Sequence, residues 1–292
     1  MNKKYDVFIS VHDQDLILQL EKNKCFRNIK KYKYLFLGYR PTDKLNSLKN
    51  KVIIARDLPI NIEPEKYLFD YTGWYALVKN NLLKKDYVAV IHYDCFVFKN
   101  FENKIQNIFN QNKECFINFV PQPMECNYFL EEEFAKAIIE ASKKVYNIDP
   151  LHMVEEAKRN GDKYWPSGGS FACNKEWLGG FVDWIEKMKP LLVDDPKVSH
   201  NIERAFKIYN LAHNVNEIHL DDVLEHIYNC SHDQNYRTEE ADKWHKSRFE
   251  KYINGELFDK KSNFCKKIFS IEKNDKHKIF KILGIKLKFR RK

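Results

Sequence analysis

The sequence lacks the long apolar stretches that would place it in a membrane or a secretory pathway. No segment approaches the ~20 consecutive apolar residues that a membrane-spanning helix needs. The first apolar run, residues 5–11, is followed at once by His12 and Asp13 and has no small-residue cleavage site, so a secretory signal is not expected. Hydrophobic residues still make up 43% of the 292 residues, which is enough for a folded core.

Paired cysteines and several common catalytic motifs are also missing. The seven cysteines are odd in number, and no two of them have the C-x-x-C spacing. A zinc knuckle or a disulfide framework is therefore not expected, and a reducing cytoplasm suits the composition better. The sequence has no Walker A, G-x-G-x-x-G, H-E-x-x-H or G-x-S-x-G motif. Their absence argues against kinase, dehydrogenase, zinc-protease and serine-hydrolase functions.

Positive charge is concentrated at one end of the chain. The formal net charge of the whole sequence is +9. Residues 260–292 hold 13 Lys and Arg against 2 Asp and Glu, whereas the other 259 residues hold 37 and 39. Because the body is nearly neutral, a nucleic-acid groove across it is poorly supported, and no nucleic-acid partner is expected.

Short apolar segments alternate with amphipathic ones through the first half of the chain. Strands are predicted at residues 6–11, 34–37, 51–55, 87–91 and 115–120, and helices at 15–29, 67–83 and 101–110. This alternation predicts an α/β fold with a mostly parallel central sheet flanked by helices.

The second half is predicted to be more helical. Helices are expected at residues 131–146, 150–159, 175–189, 199–211 and 220–228, with a short strand at 170–174. No internal repeat or low-complexity linker divides the chain. Residues 1–259 are therefore expected to form one unit, with halves at 1–120 and 121–259, followed by a basic tail at 260–292.

The segment 87–100 carries the clearest chemical signal. An apolar strand runs straight into His92-Tyr93-Asp94. In an open α/β sheet, ligands bind beyond the carboxyl ends of the strands. A carboxylate there can hold a divalent cation that neutralises a diphosphate, although a strand can also end in Asp for no functional reason. Asp94 is therefore the leading candidate for a metal ligand.

This pattern resembles nucleotide-sugar glycosyltransferases with the GT-A fold, whose signature is an Asp-x-Asp at the end of the fourth strand. Asp94 takes the place of the second, metal-binding Asp, and His92 stands where the first Asp is usual. The resemblance implies a GT-A-like fold, a nucleotide-sugar donor and Mn²⁺ or Mg²⁺ as cofactor. The His at the first position leaves open whether a metal is required.

Further segments extend the resemblance over most of residues 1–240. The family binds the nucleotide at the ends of the first and third strands, which implies donor-binding roles for Val11, Asp13 and Asp57, together with His92 and Asp94. The segment 165–172 resembles the Gly-rich turn and strand on the acceptor side of such enzymes, and the segments 199–204, 224–226 and 231–232 resemble bacterial transferases that build capsule or lipopolysaccharide. The Gly-rich turn implies acceptor-side roles for Gly168, Gly169 and Ser170, and an ordinary turn is the alternative.

Glycosyl transfer needs a stabilised leaving diphosphate and, if the anomeric centre is inverted, a base for the acceptor proton. Glu203 is predicted as that base, ahead of Asp195 and Asp222. The alternative is that Glu203 is a surface carboxylate paired with Lys207, four residues later on the same helix. If the reaction retains configuration, no conventional base is needed.

The resemblance also implies that His226 adds an imidazole ligand to the metal at Asp94, with His232 as the alternative; imidazole suits Mn²⁺ better than Mg²⁺.

The expected function is transfer of a sugar to a growing surface polysaccharide, either free or lipid-linked. Two other functions stay open. One is a sugar-phosphate or phosphoryl-type transferase, and the other is a non-catalytic polybasic protein that binds membrane or RNA.

The basic segment 276–292 alternates apolar and cationic residues. It is amphipathic as a strand and as a helix, although Gly284 weakens the helix. Each Lys or Arg near an anionic leaflet contributes ~1 kcal/mol, so peripheral attachment to an inner-membrane surface is expected. A solvated charged tail and a strand packed on the body are the alternatives.

Overall fold

A seven-stranded sheet lies at the centre of the computed structural model, which describes residues 4–62, 68–112, 114–124, 132–166, 169–227, 239–256, 269–273, 277–282 and 285–290. The first eleven strands are β1 (Tyr5–Val11), β2 (Lys33–Phe36), β3 (Val52–Ile54), β4 (Tyr87–His92), β5 (Cys95–Val97), β6 (Phe116–Asn118), β7 (Pro121–Pro123), β8 (Tyr164–Pro166), β9 (Phe171–Asn174), β10 (Glu217–His219) and β11 (Leu224–His226). The helices are α1 (Gln14–Lys22), α2 (Asp70–Lys79), α3 (Phe101–Gln111), α4 (Glu132–Tyr146), α5 (Pro150–Arg159), α6 (Lys175–Leu192), α7 (Val198–Ala212) and α8 (Glu239–Ile253).

The sheet is mostly parallel, as predicted. Its spatial order is β3-β2-β1-β4-β9-β6-β10. All neighbours pair in parallel except β9, which runs antiparallel between β4 and β6. The α/β fold class expected from the sequence, a mostly parallel central sheet flanked by helices, is therefore confirmed. The carboxyl ends of β1 to β4 and the amino end of β9 meet at one edge of this sheet, which we call the C-terminal edge.

Two apolar layers, one on each face of the sheet, form the core. Strand β4 shows how the sequence builds both, because alternate residues of a strand point to opposite faces. Val88 and Val90 belong to one layer, whereas Ala89 and Ile91 belong to the other, and all four are fully buried. A strand covered on both faces needs a continuous apolar run, which is what the sequence of β4 contains.

Two predicted helices in the body differ from the structure. The helix predicted at 15–29 ends at Lys22, where Asn23 caps it and Lys24 takes a positive φ of 51°. The helix predicted at 220–228 is wrong, because this region contains strand β11. That strand pairs antiparallel with β5, a partner about which the local sequence carries no information. Helix α8 was not predicted.

The basic segment contains three further strands. These are β12 (Phe269–Lys273), β13 (His277–Ile282) and β14 (Ile285–Arg290), and they pair in that order as an antiparallel sheet. The strand form of the segment is thus the observed one. Among the described residues, no helix combines the length and the apolar character needed to cross a membrane. Peripheral membrane contact and the boundaries of the tail stay predictions.

A buried ion network ties α7 to the outer strand β10. Lys207 is only 1% exposed, and its ammonium pairs with Asp162 and, at 3.2 Å, with Glu217 Oε2. Asn210 Nδ2 donates a second hydrogen bond to the same Glu217 oxygen at 3.2 Å. A buried charge is costly unless it is paired, so each member of this network depends on the others.

We predict that Lys207→Met lowers the free energy of unfolding by about 3–5 kcal/mol, because Glu217 would stay buried without its cation. Lys79→Met is the matched control. Lys79 pairs with Asp183 at 2.9 Å in a partly exposed setting, so its loss should cost less than about 1 kcal/mol. Urea denaturation of both variants measures the difference, and equal losses would contradict the prediction.

Candidate active site

Three side chains converge at the C-terminal edge. His92 is the last residue of β4, Asp94 lies in the turn that follows, and His226 is the last residue of β11. Asp94 Oδ1 is 2.7 Å from His92 Nδ1 and 3.2 Å from His226 Nε2. One potential ligand atom from each of the three residues lies within 4.8 Å of the other two. We call this set the His-Asp-His cluster.

Backbone contacts from three directions hold the cluster in place. The amide of Ile227 donates to the carbonyl of Asp94 at 2.9 Å, which fixes β11 beside the turn. The amide of His92 donates to the hydroxyl of Ser170 at 3.0 Å, just before β9 begins. From α8, the hydroxyl of Tyr252 donates to the carbonyl of Cys95 at 2.9 Å. The positions of His92, Asp94 and His226 are thus set by elements far apart in sequence.

The cluster is strongly coupled electrostatically. Burial alone would raise the pKa of Asp94, but the neighbouring His226 and His92 lower this pKa to about 2. Burial alone would lower the pKa of His92, but the carboxylates of Asp94 and Asp70 raise it to about 9. For His226, burial and the nearby His92 lower the pKa despite the opposing charge of Asp94. The isolated protein therefore favours an ionised Asp94 beside a protonated His92.

A cavity of about 170 Å³ opens beside the cluster. Its lining residues include Asp70, Trp74, His92, Gly169, Glu203 and His226. Glu203 lies on α7 and accepts a hydrogen bond at 2.8 Å from the buried guanidinium of Arg204. Lys207 pairs with Asp162 and Glu217, so the alternative in which it neutralises Glu203 is wrong.

Asp70 is a member of this site that the sequence did not single out. It is the first residue of α2, and its Oδ2 is 3.8 Å from His92 Nε2. Burial and the nearby charges of Asp94 and Glu203 raise the pKa of Asp70. The predicted helix began at residue 67, which placed Asp70 inside a helix rather than at its amino end. No spacing or motif in the sequence distinguishes it from other acidic residues.

The predicted donor-binding residues beyond the cluster have other contacts. The carboxylate of Asp13 caps α1 by accepting from the amides of Asp15 and Leu16, and it pairs with Arg40 at 2.8 Å. Val11 is buried at the end of β1. Asp57 lies in a short 3₁₀ helix, largely exposed. The donor-binding roles of these residues stay predictions.

The predicted acceptor-side turn contributes to the site through the backbone of Gly169 and the hydroxyl of Ser170. Gly169 has a φ of +60°, and a Cβ placed there would lie 3.0 Å from Asp70 Oδ2, so glycine lets this turn approach the carboxylate closely. Ser170 is buried and supports His92. Gly168 lies outside the described residues, as does His232, the alternative metal ligand.

Neither alternative to Glu203 as the base is among the residues that line the cavity. Asp195 accepts a hydrogen bond from the amide of Lys197 at 2.6 Å, just before α7 begins. Asp222 pairs with Lys104 and is more than half exposed. Glu203 is thus the predicted base that the fold places beside the His-Asp-His cluster.

The His-Asp-His cluster has the donor types of a metal site. Two imidazole nitrogens and one carboxylate oxygen suit Mn²⁺ better than Mg²⁺, which prefers oxygen ligands only. Three protein ligands would leave coordination positions for a substrate. His92 would have to lose its proton to bind a cation, so a metal and a proton compete for this side chain.

Comparison with known proteins gives only distant matches. No protein-family model matches the sequence, and the search of curated proteins found no relative. Among solved structures, WbbM, a bifunctional glycosyltransferase, aligns over 77% of this chain and 46% of its own, at 16% identity and a TM-score of 0.48. The chain thus spans less than half the length of WbbM.

Two further structures align more weakly. An active-site mutant of LgtC aligns over 82% of this chain and 94% of its own, at 10% identity and a TM-score of 0.39. Residues 1–349 of TarS from S. aureus align over 99% of both chains, at 9% identity and a TM-score of 0.29. Similarity at this level does not define an activity, which has to be inferred from the chemistry of the site.

We predict that the metal-free protein loses stability as the pH rises. Because the pKa of His92 is raised, its protonated form stabilises the folded protein. This stabilisation is complete below pH 6.5, the ordinary pKa of histidine, and is lost as the pH rises through about 9. The free energy of unfolding in EDTA should fall by about 1–3 kcal/mol over this range. In His92→Gln the fall should largely disappear. Parallel curves for the two proteins would contradict the assignment. The lowered pKa of Asp94, about 2, gives a stabilisation that is complete above the ordinary value of 3.8 and is lost only in strong acid, so it does not change over this range.

Proposed function

We propose that this protein is a metal-assisted glycosyltransferase that moves a sugar from a nucleotide-sugar donor to a saccharide acceptor. The supporting observation is the convergence of His92, Asp94 and His226 beside a cavity that Glu203 also lines. This site lies at the carboxyl ends of parallel strands, where open α/β sheets bind their ligands. Carboxylates and imidazoles together fit a reaction in which a diphosphate leaves and a proton must be taken up.

The donor side of the reaction is assigned to the His-Asp-His cluster. A divalent cation bound there would supply positive charge to the leaving diphosphate, and the donor atoms favour Mn²⁺ over Mg²⁺. His92, Asp94 and His226 would hold the cation with both imidazoles unprotonated. The hydrogen bonds that Ser170 and Ile227 make with the backbone of His92 and Asp94 keep these ligands oriented before any substrate arrives.

The acceptor side is assigned to Glu203. In an inverting transfer, the acceptor oxygen forms a bond to the anomeric carbon while the bond from that carbon to the diphosphate oxygen breaks. The acceptor proton passes to the Glu203 carboxylate. The hydrogen bond from Arg204 fixes the orientation of this carboxylate on α7. In a retaining transfer, Glu203 would orient the acceptor without accepting its proton.

The proposed acceptor is a growing capsule or lipo-oligosaccharide chain, free or lipid-linked. This part rests on the resemblance of the sequence segments 168–173, 199–204, 224–226 and 231–232 to transferases of that kind. The basic segment 260–292 would suit an acceptor held at an anionic inner-membrane surface. A sugar-phosphate transferase could use the same edge and cation. It would release a nucleoside monophosphate, whereas sugar transfer from a nucleoside diphosphate sugar releases the nucleoside diphosphate, so product analysis separates the two.

We predict that a nucleoside diphosphate raises the melting temperature of the protein when Mn²⁺ is present, and much less in EDTA. A thermal-shift panel with UDP and GDP is the measurement, with CMP as a nucleoside monophosphate for comparison, because binding to the folded state stabilises it. Asp94→Asn should abolish the Mn²⁺-dependent shift. The matched control is Asp86→Asn, at the opposite end of β4, where the exposed carboxylate is 3.7 Å from Lys175. No shift for any nucleotide in the wild type would contradict the proposed function.

We predict that Glu203→Gln lowers kcat by about 10²–10⁴-fold if the transfer inverts the anomeric centre, as expected for loss of a general base. Nucleotide affinity should stay near the wild-type value, because Glu203 is assigned to the acceptor. Glu186→Gln, on the surface of α6 near Lys79, is the matched control. Product release from a nucleotide-sugar measures the rate. A wild-type kcat in Glu203→Gln would remove the base assignment.

A further inference from the structure

The cavity beside the His-Asp-His cluster has the size of a single ring. Its volume of about 170 Å³ is close to the ~150 Å³ that accommodates one benzene molecule in an engineered cavity. A whole nucleotide sugar would not fit such a space. One sugar ring would fit it, with the rest of the donor lying outside along the C-terminal edge.

One wall of this cavity is the first turn of α2. Asp70 and Trp74 are four residues apart on that helix, so their side chains share a face. Phe69, just before the helix, has a φ of 52°, a conformation that non-glycine residues seldom adopt. The carbonyl of Phe69 accepts hydrogen bonds from the amide and the hydroxyl of Thr72, which fix the start of the helix. Asp70 is thus held at the cavity by a defined local structure.

Both side chains on this wall have polar atoms to offer a ligand. Within the described part of the chain, Trp74 Nε1 and Asp70 Oδ1 are shielded from solvent and lack a hydrogen bond of normal geometry. The Ser10 hydroxyl lies close enough to Asp70 to lower its pKa, but it does not form a hydrogen bond of normal geometry with Asp70 Oδ1. A Cβ placed at Gly169 would lie 3.9 Å from Cζ2 of the Trp74 ring, so this edge of the ring faces the turn. A buried donor without a partner is costly, which points to a ligand.

We propose that Asp70 and Trp74 bind hydroxyl groups of the donor sugar and so help to determine which sugar is accepted. This inference rests on the proposed function. A sugar hydroxyl can both donate and accept, and this wall presents a carboxylate acceptor and an indole N–H donor. Glu203, which also lines the cavity, remains assigned to the acceptor. A site that hydrogen-bonds a hydroxyl also discriminates strongly against substrates lacking it.

Asp70 could instead act only through His92. A carboxylate beside a metal-binding imidazole commonly orients it. The separation of 3.8 Å between Asp70 Oδ2 and His92 Nε2 is longer than a hydrogen bond, whereas Asp94 already holds the other ring nitrogen at 2.7 Å. The geometry therefore favours contact with a ligand over positioning of His92. If Asp70 positions His92, its loss should weaken binding of the nucleotide and of the sugar conjugate equally. If Asp70 contacts the sugar, its loss should weaken binding of the sugar conjugate alone.

The test compares binding of a nucleoside diphosphate with binding of its sugar conjugates in Mn²⁺ by titration calorimetry. The probes are UDP and GDP beside UDP-glucose, UDP-galactose and GDP-mannose. Asp70→Asn should weaken the preferred sugar conjugate about 10- to 100-fold, the loss expected for a hydrogen bond to a charged group. Trp74→Phe, which keeps an aromatic ring, should weaken it about 5- to 10-fold. Affinity for the nucleoside diphosphate should change less than about twofold in both.

The matched controls are Asp183→Asn, which removes a surface carboxylate paired with Lys79, and Trp184→Phe, from the same apolar layer as Trp74. Both should bind every probe as the wild type does. Equal losses for nucleotide and sugar conjugate in Asp70→Asn would overturn the inference and assign Asp70 to positioning His92. Unchanged affinity for the sugar conjugate would also overturn it, with the proposed function intact. No binding of any probe by the wild type would remove both.

Discussion

The ionised carboxylate of Asp94, buried between two imidazoles, is the interaction on which the site depends. A buried charge is stable only when partners surround it. Its partners come from the end of β4 and from β11, and the pairing of β11 with β5 brings them together. The sheet supplies the rigid frame, because β4 is bonded to β1 on one side and β9 on the other. The charge of one residue therefore links strand pairing to the proposed chemistry.

At the C-terminal edge of the sheet, some residues fix the backbone and others carry the functional groups. Ser170 fixes the backbone of His92, and Asp13 caps α1. Gly169 gives the chain room to pass close to Asp70. These residues fix the local backbone conformation, whereas His92, Glu203 and His226 present functional groups to the cavity and Asp94 pairs with both imidazoles. The residues that fix the backbone and the residues that carry functional groups thus come from different segments of the chain.

The sequence predicted the sheet well because its strands carry their own signal. Strand β4 is apolar up to its last residue, His92, and Asp94 follows it at the carboxyl end, where open α/β sheets bind ligands.

Other parts of the site depend on contacts that no local pattern encodes. Strand β11 was mistaken for a helix because its partner β5 lies far away in sequence, and His226 was identified only by resemblance. Asp70 was missed because its role depends on where α2 begins, which the unusual backbone of Phe69 determines. Glu203 lines the cavity, and its catalytic role stays a prediction.

The hydrogen bond from Tyr252 to the carbonyl of Cys95 joins residues that are 157 positions apart. Loop closure over such a distance is slow and is achieved only when most of the chain is available. During synthesis, the parallel strands β1 to β4 emerge long before β11 and α8. A nascent chain can therefore pair much of the sheet while the His-Asp-His cluster is still incomplete. On this topology, the cluster is completed only after β11 and α8 have been synthesised.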